Sequence, residues 1–140
     1  MLLEKVRVVL NDIKKEYLEN VFKRHNRLAR TTRAAVQAIG LSMVAPDNPA
    51  DSATGVFVPD GMDGGKLVKS LRDDFGVTLA GGQDQWNDKV VRIAHLGYVD
   101  TFDIIIAILA LEKIDLKKFG AQFYLGKDLV AAQEILLEAY

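Results

Sequence analysis

Arg92 is the side chain of this sequence best placed to hold an anion. It lies in Lys89-Val90-Val91-Arg92-Ile93-Ala94, a β-type run that Gly97 follows closely. A guanidinium at a strand end, beside a turn that glycine permits, offers a planar fork of N–H donors. That fork matches a carboxylate or a phosphate with two parallel hydrogen bonds. Spacing alone favours the plainer reading, an arginine paired with an internal Asp or Glu or simply solvated. Other chemistry is thinly represented. His25 and His95 are the only histidines, and no paired-histidine spacing for a metal exists. His95, between strand and turn, reads as a hydrogen-bonded structural residue rather than a general base. There is no cysteine, which excludes a disulfide framework, thiolate metal sites and a thiol nucleophile. No serine stands in the context of a catalytic triad. Gly64-Gly65 precedes a helical stretch, but its spacing is neither the dinucleotide nor the Walker pattern and acids flank it. Lys23, Arg24, Arg27, Arg30 and Arg33 form a basic cluster. With no aromatic residues interleaved to stack on bases, it reads as the solvated side of an amphipathic helix rather than a nucleic-acid surface.

The elements that must position Arg92 follow from the patterning. Val77–Ala80 and Lys89–Ala94 are β-type runs. Gly81-Gly82, a polar stretch and Asn87-Asp88 lie between them, and these residue types tolerate the left-handed conformations of a hairpin-like reversal. Thr54–Val58 is a third run, ended by Pro59. Leu41–Ala45 is a candidate short strand, followed by the loop Pro46-Asp47-Asn48-Pro49. Asp63 is a candidate N-cap for a helix through Leu67, Val68 and Leu71 to Asp74, closed by Gly76. Asp103–Leu116 is a helix capped by Asp100 or Thr101, apolar almost all round from Ile104 to Leu111 and therefore buried. Phe119-Gly120 ends it, and Leu125-Gly126 precedes a last helix from Lys127 to about Ala139.

The first forty residues contain neither Pro nor Gly before Gly40. Leu2, Val6, Val9, Ile13, Tyr17 and Val21 recur at helical steps. One uncapped helix of that length is unusual in a compact domain, so a bend or break is expected, with His25-Asn26 as a candidate place. The expected class is α+β: a small, mainly antiparallel sheet of Val56–Val58, Val77–Ala80 and Val90–Ala94, helices on one face, and a long N-terminal helix.

Composition sets the outer limits. At 140 residues, 49% apolar and 26% charged, the chain can bury a real core and is neither disordered nor fibrous. No apolar run reaches transmembrane length. Glu4, Lys5 and Arg7 interrupt the stretch a signal peptide would need, and a cytoplasmic location fits. Charge is uneven. Residues 1–40 hold nine Lys/Arg against four Asp/Glu, and residues 41–140 hold nine against fifteen; the two net charges, +5 and −6, sum to −1.

Gly76-Val77-Thr78-Leu79-Ala80-Gly81-Gly82-Gln83, followed by Lys89 to Tyr98, resembles the small-domain signature of the class V aminotransferases. These are the pyridoxal-phosphate enzymes of the serine–pyruvate and alanine–glyoxylate type, and some relatives carry the name soluble hydrogenase small subunit. The pattern strand, Pro-Asp-Gly, helix, Phe-Gly-Val, strand over 54–80 resembles the same domain. So does Leu18–His25, in the helix leading from the large to the small domain. Two departures stand out. Relatives commonly have Leu-Lys-Gly where this chain has Trp86-Asn87-Asp88, which alters the loop facing the active site. They often have Gly near Tyr17, whose loss predicts a straighter helix.

The resemblance implies the C-terminal small domain of a fold-type-I enzyme, with 1–40 as a helical segment linking to a large domain and 41–140 as the small domain proper. It implies amino-group transfer between an amino acid and a 2-oxo acid. In that reaction Arg92 binds the substrate carboxylate and the domain closes the cleft. The Schiff-base lysine and the pyridoxal-phosphate site belong to the family's large domain, and none of the eleven lysines here lies in a resembling motif. The expectations are therefore no cofactor bound by this chain alone, a large domain or subunit as partner, and no nucleic acid or membrane. A homodimer through Leu2, Val6, Val9 and Ile13 is expected where that apolar stripe is left bare. The alternatives are a non-catalytic anion-binding module that keeps the fold, or a structural, oligomerisation or inactive remnant domain.

Overall fold

A computed structural model describes residues 1–114 and 126–138. The N-terminal stretch forms two helices, α1 (Leu2–Glu16) and α2 (Leu18–Ala38). The break falls at Tyr17, whose φ of 68° and ψ of 131° no helix accommodates. His25 and Asn26, the expected place, lie inside α2. The expectation of a straighter helix fails for the same reason: Tyr17 takes up a positive φ despite its Cβ, and the chain bends there.

The sheet has the order β1-β3-β2 with both pairs antiparallel, from β1 (Ala53–Phe57), β2 (Ala80–Gly81) and β3 (Val90–Ala94). Thr54 pairs with Ile93 and Val56 with Val91, so these four side chains share the core face. Val36 of α2, Leu67 and Leu71 of the next helix, and Ala110 and Leu111 of the one after it pack on that face. The chain is thus α+β with helices on one side of a small antiparallel sheet, as its alternating strand and helix signals imply. The strands differ in extent from their sequence patterns. Of Val77–Ala80 only Ala80 enters the ladder, because Leu79 turns into the core and Val77 N is drawn to Leu71 O at the helix end. Leu41–Ala45 contributes a single bridge, Met43 to Val56.

Helix α3 (Gly64–Phe75) begins where Asp63 accepts from Lys66 N at 3.0 Å, and ends on Gly76 at φ 70°. Helix α4 (Thr101–Lys113) has a full capping box. Asp100 accepts from Phe102 N and Asp103 N, and Asp103 accepts from Asp100 N. Its expected burial holds for Ile104, Ala107, Ile108, Ala110 and Leu111, whereas Phe102 and Ile106 face outward. Helix α5 (Lys127–Leu137) closes a second cluster with Leu28 and Ala35 of α2, Ile104 and Ile108 of α4, and its own Ala132. The Phe119-Gly120 stop, Leu125 and the end of the last helix near Ala139 lie outside the described residues.

The basic cluster is tied into this body rather than merely solvated. Arg24 grips Glu16 with two hydrogen bonds of 2.6 and 2.9 Å and donates to Gly97 O and Val99 O. Arg27 donates to Leu136 O, Arg30 pairs with Glu138, and Arg33 pairs with Asp51 at 2.9 Å. These long-range partners are invisible to a helical wheel.

Candidate anion site

The β3 backbone decides which way Arg92 faces. Val91 and Ile93 point into the core, so Arg92, between them, must project from the opposite face. It stands at the middle of the central strand, opposite Gly55 on β1 and Ala80 on β2. This corrects the expectation of a guanidinium at a strand end. Among the described residues no ion pair to a carboxylate engages it. Arg92 Nε donates to Gly81 O at 2.9 Å. That single bond orients the guanidinium plane and leaves its terminal nitrogens, which grip carboxylates side by side.

Arg92 lines an open groove of about 380 Å³ on this outer face. Gly55 supplies no side chain beside the arginine, and Val44 lies over it; a Cβ on Gly55 would come within 3.2 Å of Val44 Cγ2. The other wall is the 82–86 stretch of the reversal, built to a tight specification. Gly82 N donates to Val90 O, Trp86 N to Gln83 O, and Asn87 N to Asp84 O. Gly82 has no room for a side chain, since a Cβ there would fall 2.0 Å from Trp86 O. Trp86 rests edge-on against Phe57, with ring centroids 5.4 Å apart and planes at 61°. Residues 84–86 form a short 3-10 turn, with Asp84 at φ 51°. The sequence of this stretch implies a hairpin-like reversal with a variant loop, without marking any groove residue in it. The signal for Asp84 and Trp86 as groove residues was their position between two paired strands.

Near the site His95, His25 and Asp51 are committed to hydrogen bonds within the fold. His95 is fully buried. Its Nδ1 lies 3.0 Å from Asp51 O and its Nε2 lies 2.9 Å from Thr54 Oγ1. A carbonyl only accepts, so Nδ1 carries the proton and Nε2 accepts from the threonine hydroxyl. Burial is the main cause that lowers the His95 pKa from 6.5. The structural reading of His95 holds. His25 Nε2 accepts from Gly97 N at 3.1 Å. Burial pushes the Asp51 carboxyl up, but hydrogen bonds from Asn26 and Arg33 outweigh it, so its pKa is lowered from 3.8. Among the described residues no cluster of three or more acids and histidines is arranged to hold a metal ion, and no helix is long and apolar enough to cross a membrane.

No protein-family model matches the chain. Individual relatives do. A protein of Anabaena cylindrica named soluble hydrogenase 42 kDa subunit is 36% identical over 126 residues, which are 90% of this chain and 33% of that protein. The serine–glyoxylate aminotransferase of Hyphomicrobium methylovorum is 37% identical over 135 residues, 95% of this chain and 33% of the enzyme. The fold agrees: the crystal structure of pyridoxamine–pyruvate aminotransferase from Mesorhizobium loti superposes with a TM-score of 0.85 at 31% identity, over 92% of this chain and 33% of that one.

This chain is homologous to a segment of the class V aminotransferases.

It spans about one third of the length of the curated relatives it matches. Class V aminotransferases use pyridoxal phosphate, so the groove can be tested against that cofactor. Its lining includes Arg92 and Asp84 as charged residues and no lysine. Lys89 lines a separate hollow of about 720 Å³ beyond the reversal, together with Asp60 and Asp88. The groove thus offers one cation and one acid. It does not fit a cofactor that needs a lysine for its aldehyde and several donors for its phosphate.

Proposed function

We propose that this chain serves as the small domain or subunit of a class V pyridoxal-phosphate-dependent aminotransferase. Arg92 binds the substrate carboxylate, and the domain closes the cleft over an amino acid or a 2-oxo acid. Residues 1–40 carry the chain from a large domain that holds the cofactor and the Schiff-base lysine, and 41–140 form the small domain. The observation that supports this reading is the state of Arg92. Its guanidinium is oriented by one backbone carbonyl, faces away from the core, and has no described carboxylate partner. A structural arginine on a sheet face would be paired already; one kept for a ligand is oriented but not neutralised. What Arg92 does chemically is to fix the carboxylate end of the substrate, so that the amino group at the other end meets the large domain in one orientation.

The test compares substrate affinity and fold stability in the same variants, with the large domain supplied as a fused or separate chain. Arg92→Lys keeps the charge and loses the fork, and should raise the amino-acid KM by about tenfold. Arg92→Ala should raise it by about a hundredfold. Because Arg92 is exposed, either change should move the stability of the domain by no more than about 0.5 kcal/mol. An Arg92→Ala chain that unfolds while affinity is untouched would make Arg92 a structural residue and sink the assignment.

A further inference from the structure

We propose that Asp84 is the selectivity residue of the Arg92 groove, admitting ligands with one carboxylate and rejecting those with two. This rests on Arg92 as the carboxylate-binding residue and extends that role to the substrate class. Three observations carry it. Asp84 and Arg92 line the same groove without forming an ion pair, and no other charged residue lines it. The acid therefore does not neutralise the arginine; it acts on whatever the arginine holds. The rest of the wall is uncharged: it is mostly apolar or small, from Val44, Pro49, Trp86 and Val90, with Thr54 and Gln83 as its neutral polar side chains. A second carboxylate projecting from a ligand at Arg92 finds no cation there and meets the negative charge of Asp84. A ligand with a short apolar or neutral side chain meets Val44 and Trp86 instead.

The position of Asp84 is imposed by the reversal. Gly82 lies against Trp86 O where no Cβ fits, Asp84 O accepts from Asn87 N, and Trp86 is seated on Phe57. Asp84 itself sits at φ 51°, a conformation that Asp and Asn tolerate and most residues do not. Asp84→Asn therefore removes the charge and leaves the backbone in place.

Trp86 makes the test direct, because it is the only tryptophan of the chain and lines the groove. Its emission can be followed in the intact chain while lactate or malate is added at fixed ionic strength. Both are transparent stand-ins for 2-oxo acids, and they differ by one carboxylate. The wild type should bind lactate more tightly than malate. Asp84→Asn should tighten malate by about fivefold, the scale of one unit charge across a partly wet groove, and change lactate by less than about twofold. Arg92→Ala should abolish binding of both. Equal change of both ligands in Asp84→Asn, with Arg92→Ala still abolishing binding, overturns the selectivity role and leaves the arginine assignment standing. Binding that survives Arg92→Ala, or no response of Trp86 to either acid up to its solubility limit, overturns both.

Discussion

At the scale of single residues, the outward and inward faces of β3 separate two kinds of chemistry. Arg92 keeps its charge in water on one face, whereas His95, just past the strand end, is buried neutral between Thr54 and the Asp51 carbonyl. That difference predicts a pH dependence. The His95 pKa is lowered from 6.5 chiefly by burial, so the unfolded chain binds the proton more readily than the folded one. Stability should be at its full value above pH 6.5 and fall as the pH drops below it. The Asp51 carboxyl acts lower down. Its folded pKa lies below 3.8, so its contribution is present above that value and is lost only as the pH falls further. Thermal melts across this range should show a decline that begins near pH 6.5, and His95→Gln should remove that part of it. A flat profile between neutral pH and pH 4.5 would contradict the buried neutral imidazole.

At the scale of elements, the join between α1 and α2 stores strain. Tyr17 has φ 68° and ψ 131°, a region costly for any residue with a Cβ, and its side chain is 71% exposed and so adds little packing. The join is held by the two hydrogen bonds from Arg24 to Glu16, which lower the Glu16 pKa from 4.5. Tyr17→Gly should relieve the strain and raise stability by about 1 kcal/mol, or roughly 4 °C in Tm. Tyr17→Ala keeps the Cβ and should give no such gain; equal stabilisation by both would show that the ring, not the backbone, is the cause. The 82–88 reversal is the opposite case, since its glycine is indispensable. Gly82→Ala would drive a Cβ into Trp86 O and should detach Trp86 from Phe57, read as a red shift and broadening of tryptophan emission.

At the scale of the whole molecule, α1 stands off the body. None of its residues is buried, and Leu2, Leu3, Val9 and Leu10 are each more than half exposed. A helix with a bare apolar side and no core role is stable only against a partner. In the proposed enzyme that partner is the large domain. For the chain by itself we expect concentration-dependent self-association through α1. Val6→Glu with Val9→Glu should yield a monomer in light scattering at unchanged Tm, because neither side chain packs in the folded core. A clean wild-type monomer at high concentration would show that the stripe is not adhesive. Cofactor chemistry offers a check at the same scale. Mixed with pyridoxal phosphate and reduced with borohydride, the chain alone should show no stoichiometric modification of any one lysine. A single lysine trapped in full yield would place a Schiff-base residue here and overturn the division of labour between domains.

Local rules were enough for much of this protein. The Asp63 and Asp100 caps, the Gly76 stop and the α+β alternation are readable because a cap or turn depends on residues within one helical turn of each other. The family likeness was readable from 76–98 for a related reason: a reversal between paired strands constrains its own sequence closely. What depends on distant partners was not readable. Whether the arginines of α2 are solvated or committed depends on Asp51, Leu136 and Glu138, up to 109 residues away. The break at Tyr17 defies residue preference, since nothing about a tyrosine announces a positive φ. Only two of the residues around Val77–Gly81 pair in the sheet because Leu79 is claimed by the core. Arg92 shows the division most clearly. Its type and the run that carries it name the chemistry. Its place in the middle of the central strand, with Gly81 orienting it and Asp84 sharing its groove, follows from sheet order and from a reversal folded back upon it, which sequence spacing does not encode.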